Sequence, residues 1–402
     1  MIPLAPLSPC DLHATRDGDA ITVGGRITSN HGDALVLADA SDACFVQMAK
    51  PTSLPEGTLV VVAATRRSPG LVDGAIVWSA PSSTVVPQEH QRLLSRRVGR
   101  NLRARSRMFD AVREFFRERG FIEVDTPQRV PSPGLDLHLD AFDADGAYLI
   151  TSPEYQMKRL LAGGLPRIFQ IVHCFRQGER GIYHNPEFAM LEWYRAFSAM
   201  DDMIDDTTHL IAQVTHALSG SSYLKLANRT IDVSAPCEQL TVLEAFARFA
   251  GVTPSDVLRW AEHDEDRYFR VLVDQVEPAL ASIDRLVVLR DYPASQASLA
   301  RVRPNDPSVC ERFEMYAGGV ELCNGFGELT DPVEQRRRLE ADQRKRKETG
   351  RPVYPIDEAF LAALQQGMPP SSGNALGLDR LLCLCLGTDG IGEVMAFPSE
   401  LL

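Results

Sequence analysis

Three separate segments hold side chains suited to one chemistry. Phe175–Arg195 reads FRQGERGIYHNPEFAMLEWYR, and Gly373–Arg380 reads GNALGLDR. The first supplies Arg176, a variable loop, then His184, Asn185, Phe188, Glu192 and Tyr194. The second supplies Gly377 and Arg380 ahead of an apolar run. An arginine presents a planar, always-charged fork that makes bidentate contacts with phosphate. The third segment, FEMYAGGVELCNGFGEL, sets Glu314 and Glu321 seven residues apart across Ala317-Gly318-Gly319. A hairpin there would bring both carboxylates to one magnesium ion, a metal usually held by one or two carboxylates and phosphate oxygens. Glu154, Glu192, Tyr194, Asn324 and Glu328 add a second acidic group. Beside a phosphate site, such a cluster suits a lysine-like substrate with two ammonium groups. Such a reaction asks the protein for positioning and electrostatics more than covalent work. Taken singly, Arg176 reads as a surface charge, and Phe188 and Tyr194 as core aromatics. The order HNPEF, E-x-Y, E-x6-E-x2-N-x-F-x-E, G-x-D-R argues for the joint reading.

The elements that must position these residues follow from periodicity. Within residues 1–90, Ile21–Ile27, Ala34–Ala38, Phe45–Ala49, Thr58–Ala64 and Ala75–Ser79 read as short strands separated by Gly- and Pro-containing turns. Five such strands fit a small OB-like barrel. Pro81–Gln88 reads as a linker, and residues 91–402 as the second domain. Its start is basic: Arg92, Arg96, Arg97, Arg100, Arg103, Arg105 and Arg107 come with no acid between them. Arg107–Gly120 is an amphipathic helix and Phe121–Pro127 a strand. Residues 200–285 read as a helical insertion with nothing catalytic. Leu286–Leu289 and Gly319–Asn324 read as strands, Pro332–Gly350 as a charged, solvated helix, and Leu376–Leu386 as an apolar helix after a glycine turn.

Bulk properties narrow the class. The 402 residues are 44% hydrophobic and 24% charged, with a net charge of −12, as in ordinary globular proteins. That balance does not suit a molecule that neutralises many phosphates over its whole surface. The eight cysteines show no paired CxxC spacing. Cys383-x-Cys385 reads as core, and scattered thiols suit a reducing cytosol. A charged-then-apolar leader and an 18-residue apolar run are both missing from the sequence, so a cytoplasmic protein with no membrane partner is expected.

From about Arg103 onward the chain resembles the lysine branch of class II aminoacyl-tRNA synthetases. The match rests on Ser152-Pro153-Glu154 followed by YQMKRLLAGG, on HNPEF and on ELCNGFGELTD. DYPASQASLAR (291–301), YHNPEFAMLEWYR (183–195) and GMPPSSGNALGLDR (367–380) resemble most the stand-alone paralogues that join β-lysine to a lysine of elongation factor P. The resemblance implies an α+β catalytic domain, an antiparallel sheet flanked by helices, behind the all-β barrel. It implies ATP and Mg2+, a lysine-type amino acid and elongation factor P as partners, and a homodimer formed through Asp125-Thr126-Pro127 and the preceding helix. Arg176 and Arg380 would be catalytic. Arg176, Glu179, His184, Asn185, Phe188, Glu321, Leu322, Gly377 and Arg380 would contact ATP, with adenine between Phe188 and Arg380. Glu314 and Glu321 would hold the metal. Ser152, Pro153, Glu154, Tyr194, Asn324, Glu328 and Ala375 would bind the amino acid, with Tyr194 and Glu328 on its ε-ammonium.

Two positions favour the ligase over a tRNA-charging enzyme. Tyr183 stands where the latter has arginine, and Ala375 where it has glycine. Two depart from the pattern: Gly178 replaces the usual motif 2 glutamate, and a barrel precedes the catalytic domain. The alternatives are therefore a lysyl-tRNA synthetase or a catalytically idle regulator. Residues 1–90 carry only Phe45 and Trp78 as aromatics, and five basic residues against nine acidic ones. A base-binding barrel needs stacking rings and a basic groove, so this one reads as degenerate.

Overall fold

Alternation of buried and exposed residues along short Val- and Ala-rich runs closes the first part of the chain into a barrel. A computed structural model describes residues 6–80, 92–94, 98–226 and 229–402. The expected linker Pro81–Gln88, with Arg96 and Arg97, lies outside the described residues. The chain divides into two compact units, Met1–Arg105 and Ser106–Leu402. In the first, β1 (Ala20–Asn30), β2 (Ala34–Ala38), β3 (Ala43–Met48), β4 (Leu59–Arg67) and β5 (Gly70–Ser79) form a closed barrel in the order β1-β2-β3-β5-β4. Every strand expected in this region is present. β3 shows the period of two: Cys44, Val46 and Met48 point inward while Phe45 is 49% exposed. Val23, Ile27, Leu35, Leu37, Val60, Val62 and Leu71 fill the interior.

Helix α1 (Val98–Glu118) starts nine residues before the expected Arg107. In the second unit it buries Met108, Val112, Phe115 and Phe116. Phe116 stacks on Phe169 at 4.6 Å and lies 5.5 Å from Trp193. The chain continues through β6 (Ile122–Glu123), β7 (Arg129–Val130), β8 (Tyr148–Leu149), α2 (Glu154–Ala162), β9 (Arg167–Phe175), β10 (Glu187–Ala196) and α3 (Met200–Ser219). Next come β11 (Tyr223–Leu226), β12 (Arg229–Asp232), β13 (Glu238–Thr241), α4 (Val242–Ala250), α5 (Pro254–His263), α6 (Glu265–Val271) and α7 (Glu277–Leu280). Last are β14 (Leu286–Pro293), β15 (Val302–Arg303), β16 (Asp306–Ala317), β17 (Val320–Gly327), α8 (Pro332–Glu348), α9 (Glu358–Gly367), β18 (Ser371–Gly377) and α10 (Leu378–Leu386). One sheet runs β13-β14-β16-β17-β18-β10-β9-β6, with β15 paired to β16. It is antiparallel except for the β13–β14 and β6–β9 pairs at its edges.

Several sequence expectations change here. The strand expected over Phe121–Pro127 shrinks to Ile122–Glu123. Where a glycine turn was expected ahead of a helix from Leu376, Ser371–Gly377 form the strand β18, and the last helix begins at Leu378. Helix α8 is not only a solvated face, because Gln335, Leu339 and Arg346 are fully buried. Arg346 donates to the carbonyls of Asp136, Leu139 and Pro352 and to the Asp140 carboxylate. A buried guanidinium needs this many acceptors to replace its water. Residues 200–285 carry the β11–β12 hairpin and the edge strand β13 as well as helices.

Candidate active site

Register assembles the site. Residues directly opposite one another in an antiparallel ladder share a face. Glu314 pairs with Asn324, Asn324 with Ala375, Ala375 with Glu192, and Glu192 with Gln170, in one row across five strands. Two residues further on, Arg312, Phe326, Gly373, Tyr194 and Ile168 form a second row on the same face. Along β10 the period of two sends Phe188, Met190, Glu192 and Tyr194 to that face, and Trp193 to the core against α1. Gly373 is required by the second row. A Cβ there would lie 2.3 Å from Tyr194 Cε1 and 2.6 Å from Glu328 Oε1.

A cavity of about 380 Å³ opens on this face. Its wall includes all nine residues expected at ATP, both expected metal ligands, Asn324 and Ala375. Arg176 follows directly on β9, and its backbone N–H bonds to Pro186 O at 2.8 Å across the loop. Its guanidinium lies 5.0 Å over the Phe188 ring and 3.6 Å from Glu179. Arg380 sits in the first turn of α10, which Asp379 ties to β10 by accepting from the Ala189 N–H at 2.8 Å. Arg380 donates to Glu321 O at 2.9 Å and Tyr183 O at 3.2 Å, and its Nη2 lies 2.8 Å from His184 Nε2. The two arginines therefore flank one cavity, as the sequence implied. The ring contact is made by Arg176. Asn185 uses its amide locally, donating to Glu187 O at 2.6 Å and accepting from Ser399 N–H at 3.0 Å. Gly178 has φ +83, a left-handed backbone that a glutamate adopts only with strain. Glu179, one residue on, lines the cavity.

The β16–β17 hairpin turns at Gly318-Gly319 and presents Glu314 and Glu321 to the cavity. Glu314 accepts from Arg312 at 2.7 Å and from the Tyr316 hydroxyl at 2.6 Å. Burial and the neighbouring Glu314 raise Glu321, while Arg380 and Arg176 oppose the rise. Glu277, from α7, is pushed up to about 7 by burial and by Glu314 and Glu321. Two neighbouring carboxylates would suit a hard divalent cation, which takes oxygen ligands. Asn324 Oδ1 is buried here with no hydrogen-bond partner, an acceptor that a bound polar group would satisfy.

A second cavity of about 140 Å³ shares Arg176, Asn324, Ala375 and Met190 with the first. Ser152 and Glu154 line it. Ser152 Oγ donates to Glu192 Oε2 at 2.8 Å, and Tyr194 OH to Glu192 Oε1 at 2.5 Å. Pro153 is the N-cap residue of α2 and fixes the approach of Glu154. Pro153, Tyr194 and Glu328 do not line either cavity. Glu328 is 1% exposed and ion-paired at 2.5 Å with Lys158, which also binds Glu154 at 2.5 Å. Burial, then Glu154, push Glu192 up to about 8 despite the Tyr194 and Ser152 hydrogen bonds. Burial also lifts Glu328, to about 7, against the pull of Lys158. Sequence reasoning missed Lys158, although it stands one helical turn after Glu154, a spacing that marks an ion pair. It also missed Arg312 and Tyr316, whose contact with Glu314 depends on strand register.

All eight cysteines are free, and Cys383 and Cys385 are buried in α10 as expected of core thiols. Among the described residues no helix is long and apolar enough to cross a membrane.

Residues 82–401 match the tRNA synthetases class II (D, K and N), and the chain belongs to that family. Among its relatives, the elongation factor P–(R)-β-lysine ligase of Edwardsiella ictaluri is 44% identical over 316 residues, 75% of this chain and 95% of the relative. The enzyme of the same name from Hamiltonella defensa is 41% identical over 316 residues, with the same shares covered. That of Vibrio cholerae is 40% identical over 310 residues, covering 74% and 94%.

Proposed function

We propose that this enzyme activates (R)-β-lysine with ATP and transfers it to a lysine side chain of elongation factor P. The observation that carries this reading is the pair of cavities joined at Arg176, Asn324 and Ala375. One is flanked by arginines and carries two carboxylates, and the other is lined by Ser152 and Glu154, which bond to Glu192 and Lys158. The names of the relatives supply the acceptor.

In the first step a substrate carboxylate oxygen attacks the α-phosphorus and diphosphate leaves. Arg176 stands where the two cavities meet and offsets charge on the phosphoryl group and on the carboxylate. Arg380, held by Glu321 O and Tyr183 O, faces the nucleotide from the other side. Glu314 and Glu321 would hold magnesium, which would supply positive charge to offset that of the phosphates. Phe188 offers a face to adenine, and Asn324 orients the carboxylate. Glu154, Glu192, Tyr194 and Glu328 take the substrate's ammonium groups. In the second step the acceptor amine attacks the carbonyl carbon of the adenylate and AMP leaves. Asp125-Thr126-Pro127 and α1 form a homodimer interface in this reading, and the barrel serves no RNA.

Acceptor choice tests it. Purified enzyme is given ATP and either lysine isomer, with elongation factor P or tRNA offered. A mass gain on the protein and none on tRNA is the expected result. Charging of tRNA alone would replace this reading with that of a lysyl-tRNA synthetase.

A further inference from the structure

The acidic pocket contains a positive charge of its own. Lys158 is 1% exposed, and its Nζ lies 2.5 Å from both Glu154 Oε1 and Glu328 Oε2 and 6.0 Å from the centre of the Tyr194 ring. The carboxylates reach it from three places: Glu154 from its own helix α2, Glu192 from β10, and Glu328 from the residue after β17. Arg301, before β15, bears on Glu328, and Asp342 of α8 faces the same cavity. Burial alone would lower Lys158, but Glu154 and Glu328 more than offset it, so the ammonium stays charged.

We propose that Lys158 is a positioning residue of the amino-acid pocket, whose ammonium favours the charged form of Glu328 and holds Glu328 and Glu154 in place to read the two ammonium groups of the substrate. The argument is electrostatic. Glu328 is sealed beneath Glu154 and Lys158. Without its counterion a carboxylate at that depth takes up a proton rather than remain charged. Protonated, it ceases to be a counterion for an incoming ammonium. Glu192 moves the same way, because Lys158 is among the groups that lower it. The inference rests on the reading of this pocket as the amino-acid site.

Lys158→Met, nearly isosteric and uncharged, tests it, with ATP–diphosphate exchange measured against (R)-β-lysine concentration from pH 7 to pH 9. The expected result at pH 7 is a KM for the amino acid raised tenfold or more, with the KM for ATP and kcat little changed. That defect should shrink as pH rises, because Glu328 and Glu192 regain their charge while substrate amines, titrating at about 10, keep theirs. Wild type should improve less over this range and finish at lower pH, because Glu328, at about 7, and Glu192, at about 8, already ionise there. ATP binding by the variant reports an intact fold. A second variant, Lys158→Met with Glu328→Gln, removes both members of the pair and leaves no bare charge buried. It should recover less with pH than Lys158→Met, since Glu328 is gone and only Glu192 is left to regain charge. An unchanged KM in Lys158→Met, a defect that ignores pH, or recovery as complete in the double variant as in Lys158→Met overturns the proposal. Wild type that activates no lysine-type amino acid would instead overturn the functional reading.

Discussion

Arg380 and His184, 196 residues apart in sequence, meet at 2.8 Å between Nη2 and Nε2. A guanidinium only donates, so His184 Nε2 must accept and the ring must be neutral. Burial, then Arg380, hold the His184 pKa below its ordinary value. The contact pins the loop between β9 and β10 to the start of α10, at the wall of the cavity of about 380 Å³. Arg380→Ala should therefore do two things. Diphosphate exchange should fall on the order of 10²-fold or more through loss of a preorganised charge, and the His184 pKa should rise towards its ordinary value. NMR titration of His184 reads the second. Loss of exchange with an unmoved histidine would mean that the two residues are not coupled. Arg176→Ala should lower exchange to a similar degree, and near-normal exchange would remove Arg176 from its assigned role.

Ala375 stands in the row between Asn324 and Glu192 and lines both cavities. Under the proposed function its methyl group narrows the place where the carboxylate end and the ammonium end of the substrate would meet. Ala375→Gly should raise use of α-lysine relative to β-lysine, by a factor set by about 1–3 kcal/mol for a methylene-sized change. Competition of the two isomers in diphosphate exchange measures the ratio. An unchanged ratio places selectivity elsewhere.

Much of this site could be read from sequence because its parts lie in short, ordered motifs. Arg176 to Phe188 needs only one loop, and Glu314 and Glu321 need only one hairpin. What could not be read depends on which strand neighbours which. Nothing in the spacing says that β18 inserts between β17 and β10, so the row Glu314–Asn324–Ala375–Glu192 was invisible, and residues 371–377 read as a turn. Arg346 was hidden in the same way. Its helix is charged throughout, and only the fold shows that one guanidinium turns inward to the loop 136–140. The barrel was legible because period-two alternation and Gly/Pro turns are local signals.

That inward arginine has a testable cost. Arg346 is fully buried against Asp140 and three carbonyls, and the Asp136–Leu139 segment it holds lines both cavities. Arg346→Met should lower unfolding stability by about 3–5 kcal/mol, because the carbonyls lose their donor and Asp140 keeps only Arg351, at 3.3 Å. Denaturant titration gives the value. A change below about 1 kcal/mol, the scale of a surface pair, would show that solvent replaces the guanidinium.

Asp342 makes stability depend on pH. Burial, then Asp136, raise its pKa from 3.8 to about 7. The folded state thus binds this proton more tightly than the unfolded chain does. Its contribution is present below the unfolded value and is lost as pH rises through about 7. Asp342→Asn should flatten the decline in Tm between pH 4 and pH 7. An equal decline in variant and wild type would assign the loss to other carboxylates.

The barrel separates the two acceptor readings. Its five basic residues against nine acidic ones, and its two aromatics, Phe45 and a partly buried Trp78, give single strands neither a charged groove nor a stacking platform. Every residue placed at the active site lies beyond Phe121. Removal of residues 1–87 should therefore leave adenylate formation and transfer to elongation factor P within about threefold of the full chain, well under the tenfold that 1.4 kcal/mol represents. Labelled tRNA titrated against the full-length protein should show no binding that weakens steeply with salt, since counterion release needs several phosphate contacts. Submicromolar affinity that falls with salt and disappears on truncation would make the barrel an RNA-binding domain and restore tRNA as the acceptor.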